Sequence, residues 1–89
     1  MRLNAIVDPA RAGGHDIVEL ARRVAEGGAT LVQLRDKGSE TRAMIEKARA
    51  IKTALSPLKV AFVVNDRVDV ALAAHADGVH LGSDDMAVI

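Results

Sequence analysis

The chain has no cysteine, tryptophan or tyrosine, and only one phenylalanine. Without cysteine it forms neither disulfides nor thiolate metal sites, which is compatible with the cytoplasm. With a single aromatic side chain, stacking on nucleic-acid bases is not an expected mode of recognition. The 12 basic and 12 acidic residues give a formal net charge of +0, so there is no basic footprint for nucleic acid or membrane. The apolar run before Asp8 is too short for a signal peptide or a membrane span.

Short apolar runs alternate along the chain with segments of helical periodicity. Strands are predicted at residues 3–7, 30–34, 60–64 and 78–82, with helices at 17–24, 44–55 and 68–76 and the first turn of a fourth helix at 84–89. This alternation predicts an α/β fold with a parallel sheet and right-handed crossovers. A closed (βα)8 barrel needs about 250 residues. We therefore expect the first four βα units, a half-barrel, with the first and fourth strands at its open edges.

Polar side chains follow the second predicted strand. Side chains alternate across a strand, so Gln33 and Arg35 face away from the helices if their apolar neighbours face them. Lys37 lies just beyond the strand end. An amide, a guanidinium and an ammonium group on one side suit an anion, and a phosphate or diphosphate fits best. The alternative is that the two cations are surface residues paired with Asp36 or Glu40.

The third and fourth predicted strands also end in polar residues. Asn65 and Asp66 follow the third strand, and Asp84 and Asp85 follow the fourth. Each acid could simply cap the next helix or favour its first turn. Carboxylates at the same end of adjacent parallel strands could instead face the basic cluster, which is how Mg²⁺ is shared between a protein and a bound diphosphate. His80 should face the same way as Asn65, where a hydrogen-bonded core role is the commoner one.

These segments together resemble the thiamine phosphate synthase family. Residues 32–37 are similar to its Gln-x-Arg-x-Lys signature, residues 64–72 to its Asn-Asp signature, and residues 76–86 to the segment that follows. Order, spacing and strand placement agree over essentially the whole chain. The resemblance implies a transferase of (βα)8 fold, with residues 1–89 as the N-terminal half of the barrel. Such an enzyme joins 4-amino-5-hydroxymethyl-2-methylpyrimidine diphosphate to a thiazole phosphate, giving thiamine phosphate and pyrophosphate.

The resemblance also implies roles for six residues. The pyrimidine diphosphate would be bound by Gln33, Arg35, Lys37 and Asn65, and Mg²⁺ would be held by Asp66 and Asp85. The implied mechanism is dissociative: the diphosphate leaves, a pyrimidine cation forms, and the thiazole nitrogen captures it. The metal and the cations stabilise the charge that grows on the leaving group.

The chain departs from the family pattern in two ways. Ser83 stands where the family usually has Gln. The chain also stops before the family's serine/threonine-rich segment, a further lysine and the Gly-rich loops for the thiazole phosphate. We therefore expect the 89-residue chain to be inactive by itself.

Two other functions remain open at this stage. A thiazole tautomerase has the same fold, but its substrate needs no diphosphate–Mg²⁺ cradle, so the polar set above argues against it. A non-catalytic half-barrel could instead associate with a second copy through its open strand edges.

Overall fold

The computed structural model describes residues 3–81 and 85–88, with side chains described for 3–81. The described chain forms strands and helices in the order β1 (Asn4–Val7), α1 (Ile17–Glu26), β2 (Leu31–Leu34), α2 (Thr41–Leu55), β3 (Ala61–Asn65), α3 (Val68–Ala73), β4 (Gly78–Leu81) and β5 (Asp85–Val88). Short 3-10 turns at Pro9–Arg11 and Ser56–Leu58 follow β1 and α2. Of the helices in this part of the chain, none is long and apolar enough to span a membrane.

The sheet order is β1-β2-β3-β4-β5, and β1 to β4 are parallel. This confirms the predicted α/β fold with a parallel sheet. Consecutive parallel strands joined by right-handed crossovers place every helix on the same face of the sheet. A doubly wound sheet differs, because its strand order reverses at a switch point and helices cover both faces.

The three helices pack on one face of the sheet, around an aliphatic core. Val32, Leu34 and Phe62 are fully buried and cluster with helix residues such as Ala21 and Ala48. The alternate strand residues face the other side, which we call the bare face. There, Ile6 on the outer strand is 62% exposed, whereas Gln33 and Val63, its neighbours on β2 and β3, are buried. The predicted alternation along the second strand is confirmed, and it leaves the bare face available to polar side chains.

Helix ends are set by local chemistry that the sequence signals. Asp16 caps α1, since its Oδ1 accepts a hydrogen bond from the backbone N–H of Val18 at 2.8 Å. Gly28, just after the helix, has a φ of 118°, a conformation in which a residue with Cβ is strained. The N-cap of α2 is Glu40, whose side chain makes no capping hydrogen bond. The start of α2 therefore depends on other contacts of the preceding loop.

The predicted fourth helix is wrong for residues 85–88. They form β5, which runs antiparallel to β4 with Asp85 opposite Leu81 and Val88 opposite Gly78. The physical reason is the edge of β4: a strand laid beside it satisfies a row of backbone N–H and C=O groups, whereas a single helical turn satisfies few. The fourth strand is therefore not an edge of the described sheet, whose outer strands are β1 and β5. Residues 82–84, including the predicted strand end and Ser83, lie outside the described residues.

Candidate anion-binding site

Three polar side chains meet on the bare face near the carboxyl ends of β2, β3 and β4. Asn65 lies opposite His80 in the register of β3 and β4. Asn65 Nδ2 donates to Gln33 Oε1 at 3.3 Å, and the Gln33 amide contacts His80 Nδ1, with Nε2 at 3.0 Å and Oε1 at 3.2 Å. The predicted common orientation of His80 and Asn65 is confirmed. Gln33 is buried and links the two others.

Lys37 and Asp66 meet across the ends of β2 and β3. Lys37 Nζ donates to Asp66 Oδ2 at 2.7 Å. The chain turns sharply at Asp66, which has a φ of 64° and whose N–H donates to the carbonyl of His80 at 2.8 Å. Asp tolerates this left-handed conformation better than most residues do. The alternative that Asp66 caps the next helix is wrong, because the N-cap of α3 is Arg67.

Arg35 is held by an acid that the sequence analysis did not select. Its Nη1 donates to Oδ2 of Asp8 at 2.8 Å, and Asp8 is buried while Arg35 is partly exposed. Asp8 Oδ1 also accepts from the N–H of Ala10, which orients the carboxylate. A signal was present: Asp8 follows β1, and the carboxyl ends of parallel strands meet at one edge of a sheet. The alternative pairing of the two cations with Asp36 or Glu40 is wrong, since their partners are Asp8 and Asp66.

An open cavity lies beside Arg35 at the end of β1. It measures about 430 Å³ and is lined by Ile6, Asp8, Arg11, Leu20 and Arg35. Two of these side chains are guanidinium groups and one is a carboxylate. The basic groups at the carboxyl ends of β1 and β2 therefore border open space, which a bound anion needs.

Asp36, between the two cations in sequence, points into the protein. Burial by itself raises the pKa of its carboxyl group, but hydrogen bonds from the Ser39 hydroxyl and from the backbone N–H groups of Ser39 and Gly38, with the Lys47 ammonium, outweigh burial and lower that pKa. The group is therefore a buried, ionised acceptor. From the sequence alone, Asp36 was predicted only as a possible partner of the neighbouring cations.

One carboxylate of the described site, Asp66, is a candidate ligand for a metal ion shared with a substrate. Among the side chains described, no three His, Asp or Glu groups come together in a way that could hold a metal ion. Of the two predicted ligands, Asp66 lies beside the cations, whereas the Asp85 side chain is outside the described part. Mg²⁺ commonly takes one or two protein carboxylates and completes its shell with substrate phosphates and water. A single carboxylate next to cations therefore fits a shared Mg²⁺, and both metal assignments stay predictions.

Together these features define an α/β protein with a cluster of polar and charged side chains at the carboxyl ends of its parallel strands, the end at which such folds bind ligands. The thiamine monophosphate synthase family model matches residues 3–89. The chain is 58% identical over 85 residues to the thiamine-phosphate synthase of Agrobacterium fabrum, covering 96% of this chain and 39% of that protein. It is 48% identical over 86 residues to the thiamine-phosphate synthase of Xanthobacter autotrophicus, and this match covers 97% of this chain and 41% of that protein. A solved structure, the thiamine phosphate pyrophosphorylase from Pyrococcus furiosus, matches with a TM-score of 0.82 and 42% identity over 96% of this chain and 41% of that one.

The chain therefore belongs to the thiamine monophosphate synthase family. This confirms the resemblance seen in residues 32–37, 64–72 and 76–86. The chain spans less than half the length of the relatives it matches.

Proposed function

We propose that this chain supplies the N-terminal half of a thiamine phosphate synthase barrel. The whole enzyme would join the pyrimidine diphosphate to the thiazole phosphate, releasing pyrophosphate. The observation that carries this proposal is the contact of Lys37 with Asp66 across two strand ends, 2.7 Å long, with Arg35 following the same strand β2. The single helix-covered face and the consecutive strand order support a barrel sector rather than a doubly wound sheet.

In this proposal, Arg35 and Lys37 bind the diphosphate. Both are partly exposed, so each can reach a ligand without leaving its loop. Charge-assisted hydrogen bonds from these cations would strengthen as negative charge grows on the departing diphosphate. Gln33 and Asn65, already hydrogen-bonded to each other, would present amide groups to the substrate on the bare face.

Asp66 would contribute a carboxylate oxygen to Mg²⁺ shared with the diphosphate, and Asp85 would be the second carboxylate. When bound there, Mg²⁺ supplies electrostatic stabilisation to the leaving group. The Lys37–Asp66 pair must loosen for both groups to contact the ligand. The two side chains are about half exposed, and exposed ion pairs contribute only about 0–1 kcal/mol. Releasing the pair is therefore inexpensive compared with the ligand contacts that replace it.

The test is calorimetric binding of the pyrimidine diphosphate, with Mg²⁺, to the full-length protein. Arg35→Ala and Asp66→Ala should each lose a contact to a desolvated anion or its metal, about 1.5–3 kcal/mol. Arg23→Ala is the matched control, because Arg23 is also an ion-paired arginine but lies on α1, where it contacts Glu19. Wild-type affinity in both site variants would overturn the assignment.

The alternatives have less support. The relatives reported above bear the synthase name, which does not favour a tautomerase. Isolated copies of the chain would self-associate through the open edge of β1, an outer strand on which Ile6 is exposed. We propose a cytoplasmic location for the enzyme, with which a composition without cysteine is compatible.

A further inference from the structure

The loop that carries Lys37 is built around a buried carboxylate. The Asp36 side chain is 3% exposed, whereas that of Lys37 is 53% exposed. Asp36 Oδ1 accepts hydrogen bonds from the backbone N–H groups of Gly38 at 3.2 Å and Ser39 at 3.0 Å. These bonds close a tight turn that contains Lys37. The direction in which Lys37 leaves the loop is therefore coupled to the position of the Asp36 carboxylate.

Lys47 attaches this turn to helix α2. Its Nζ donates to Asp36 Oδ2 at 3.3 Å and to Ser39 Oγ at 2.7 Å. Lys47 lies on α2 between Met44 and Ala48, which are both buried in the core. Glu40 at the start of α2 provides no side-chain cap. The hydrogen bonds of Lys47 to Asp36 and Ser39 therefore join the turn to the body of the helix.

We propose that Asp36 and Lys47 are positioning residues that hold Lys37 at the end of β3 for anion binding. Neither side chain needs to touch the ligand. A long lysine side chain on a free loop loses substantial rotamer entropy when it is fixed on a ligand, and a preorganised loop removes part of that cost. The identity of the anion rests on the proposed function, whereas the effect of Lys47 on the loop does not.

The chain offers a matched control on the same helix. Lys52, one and a half turns after Lys47, donates to Asp77 Oδ1 at 2.9 Å, and the other oxygen of Asp77 accepts from the N–H of Phe62. The exposed fractions of the two lysine side chains are nearly equal, 32% for Lys47 and 30% for Lys52. The Lys52 pair lies at the start of β3, whereas the Lys47 pair lies at the end of β2. The carboxylate partners differ in burial, since the Asp36 side chain is 3% exposed and that of Asp77 is 45% exposed. Lys52 is therefore a control for the loss of a lysine ion pair on α2 away from the loop that carries Lys37.

The experiment compares Lys47→Met with Lys52→Met in the full-length protein. Three quantities are measured: the unfolding temperature, the affinity for inorganic pyrophosphate with Mg²⁺, and the hydrogen exchange of the Gly38 and Ser39 amides. Lys47→Arg, which keeps the charge, is the conservative variant and remains informative if the Met variant does not fold.

We expect both Met variants to lower the unfolding temperature, and Lys47→Met to lower it more, because this variant leaves a buried carboxylate without its cation. Lys47→Met alone should weaken pyrophosphate binding about tenfold, as is common when the partner that orients a binding group is lost, and should speed exchange at Gly38 and Ser39. Lys47→Arg should restore both properties. Equal losses of affinity in the two Met variants, or unchanged affinity and exchange in Lys47→Met, would overturn the inference.

The outcome for wild type separates this inference from the proposed function. If wild type binds no pyrophosphate, the proposed ligand is wrong. Exchange at Gly38 and Ser39 then tests whether Lys47 orders the turn that carries Lys37, which is the part of the inference that needs no ligand. Faster exchange in Lys47→Met than in Lys52→Met supports the role, and equal exchange refutes it.

Discussion

Asp66→Asn separates the charge of Asp66 from its part in the backbone turn. Asp66 has a φ of 64°, and Asn tolerates the left-handed region as Asp does, so the turn should survive. The substitution removes a carboxylate that pairs with Lys37 while 41% exposed. Ion pairs of this kind contribute about 0–1 kcal/mol. The free energy of unfolding should therefore fall by less than about 1 kcal/mol.

Ligand binding should respond much more strongly to the same substitution. If Asp66 contacts the Mg²⁺ that is shared with the diphosphate, its loss removes a charge-assisted interaction of about 1.5–3 kcal/mol. That range corresponds to binding that is roughly 10- to 150-fold weaker. The difference between a small change in stability and a large change in affinity is the signature of a ligand-binding carboxylate.

The assay combines thermal unfolding with calorimetric titration of pyrophosphate at saturating Mg²⁺ in the full-length protein. Asp69→Asn is the control, because Asp69 is a nearby exposed carboxylate that pairs with Arg67 at 2.8 Å. The control should bind pyrophosphate as wild type does. If Asp66→Asn also binds as wild type does, the carboxylate is not a ligand of the shared Mg²⁺, and the reasoning fails.

Two further predictions concern acid stability and the isolated chain. Burial by itself raises the pKa of Asp77, but the N–H of Phe62 and the ammonium of Lys52 outweigh it and lower that pKa below the ordinary value of 3.8. A carboxyl group whose pKa is lowered by folding contributes stability above its ordinary pKa, and this contribution is lost as the pH falls through the pKa of the folded state. The unfolding temperature of Asp77→Asn should therefore fall less steeply with decreasing pH below 3.8 than that of wild type. Equal dependence of the unfolding temperature on pH in the two proteins would contradict this. The 89-residue chain alone should give no thiamine phosphate in a coupled assay and should associate in light scattering; product formation, or a compact monomer at micromolar concentration, would contradict the respective claim.

The order of strands and helices could be predicted because it depends on local pattern. Apolar runs and helical stripes each bury one side of their own segment, so their period is readable without knowing the neighbours. The same alternation predicted that Gln33 and Arg35 would lie on the side of the sheet that faces away from the helices. Family membership was also readable, since the matched segments carry their signature residues within a few positions of one another.

The partners of the polar groups could not be predicted in the same way. Arg35 finds Asp8 from 27 positions away, and Lys37 finds Asp66 from 29 positions away. The nearer acid, Asp36, instead turns inward to Lys47. Sequence proximity favoured local pairs, but the parallel register brings separate strand ends together and leaves the local acid to the backbone of its own loop.

By itself, then, the sequence determined the α/β class, the parallel sheet, the family and the side of the sheet that carries the polar groups. These properties follow from short-range periodicity and from residue types at set spacing. Only the tertiary structure decided that Asp66 pairs with Lys37 instead of capping a helix, and that residues 85–88 form a strand beside β4. Both depend on backbone groups brought near by folding: the carbonyl of His80 that binds the Asp66 amide, and the edge of β4 that pairs with the segment after it.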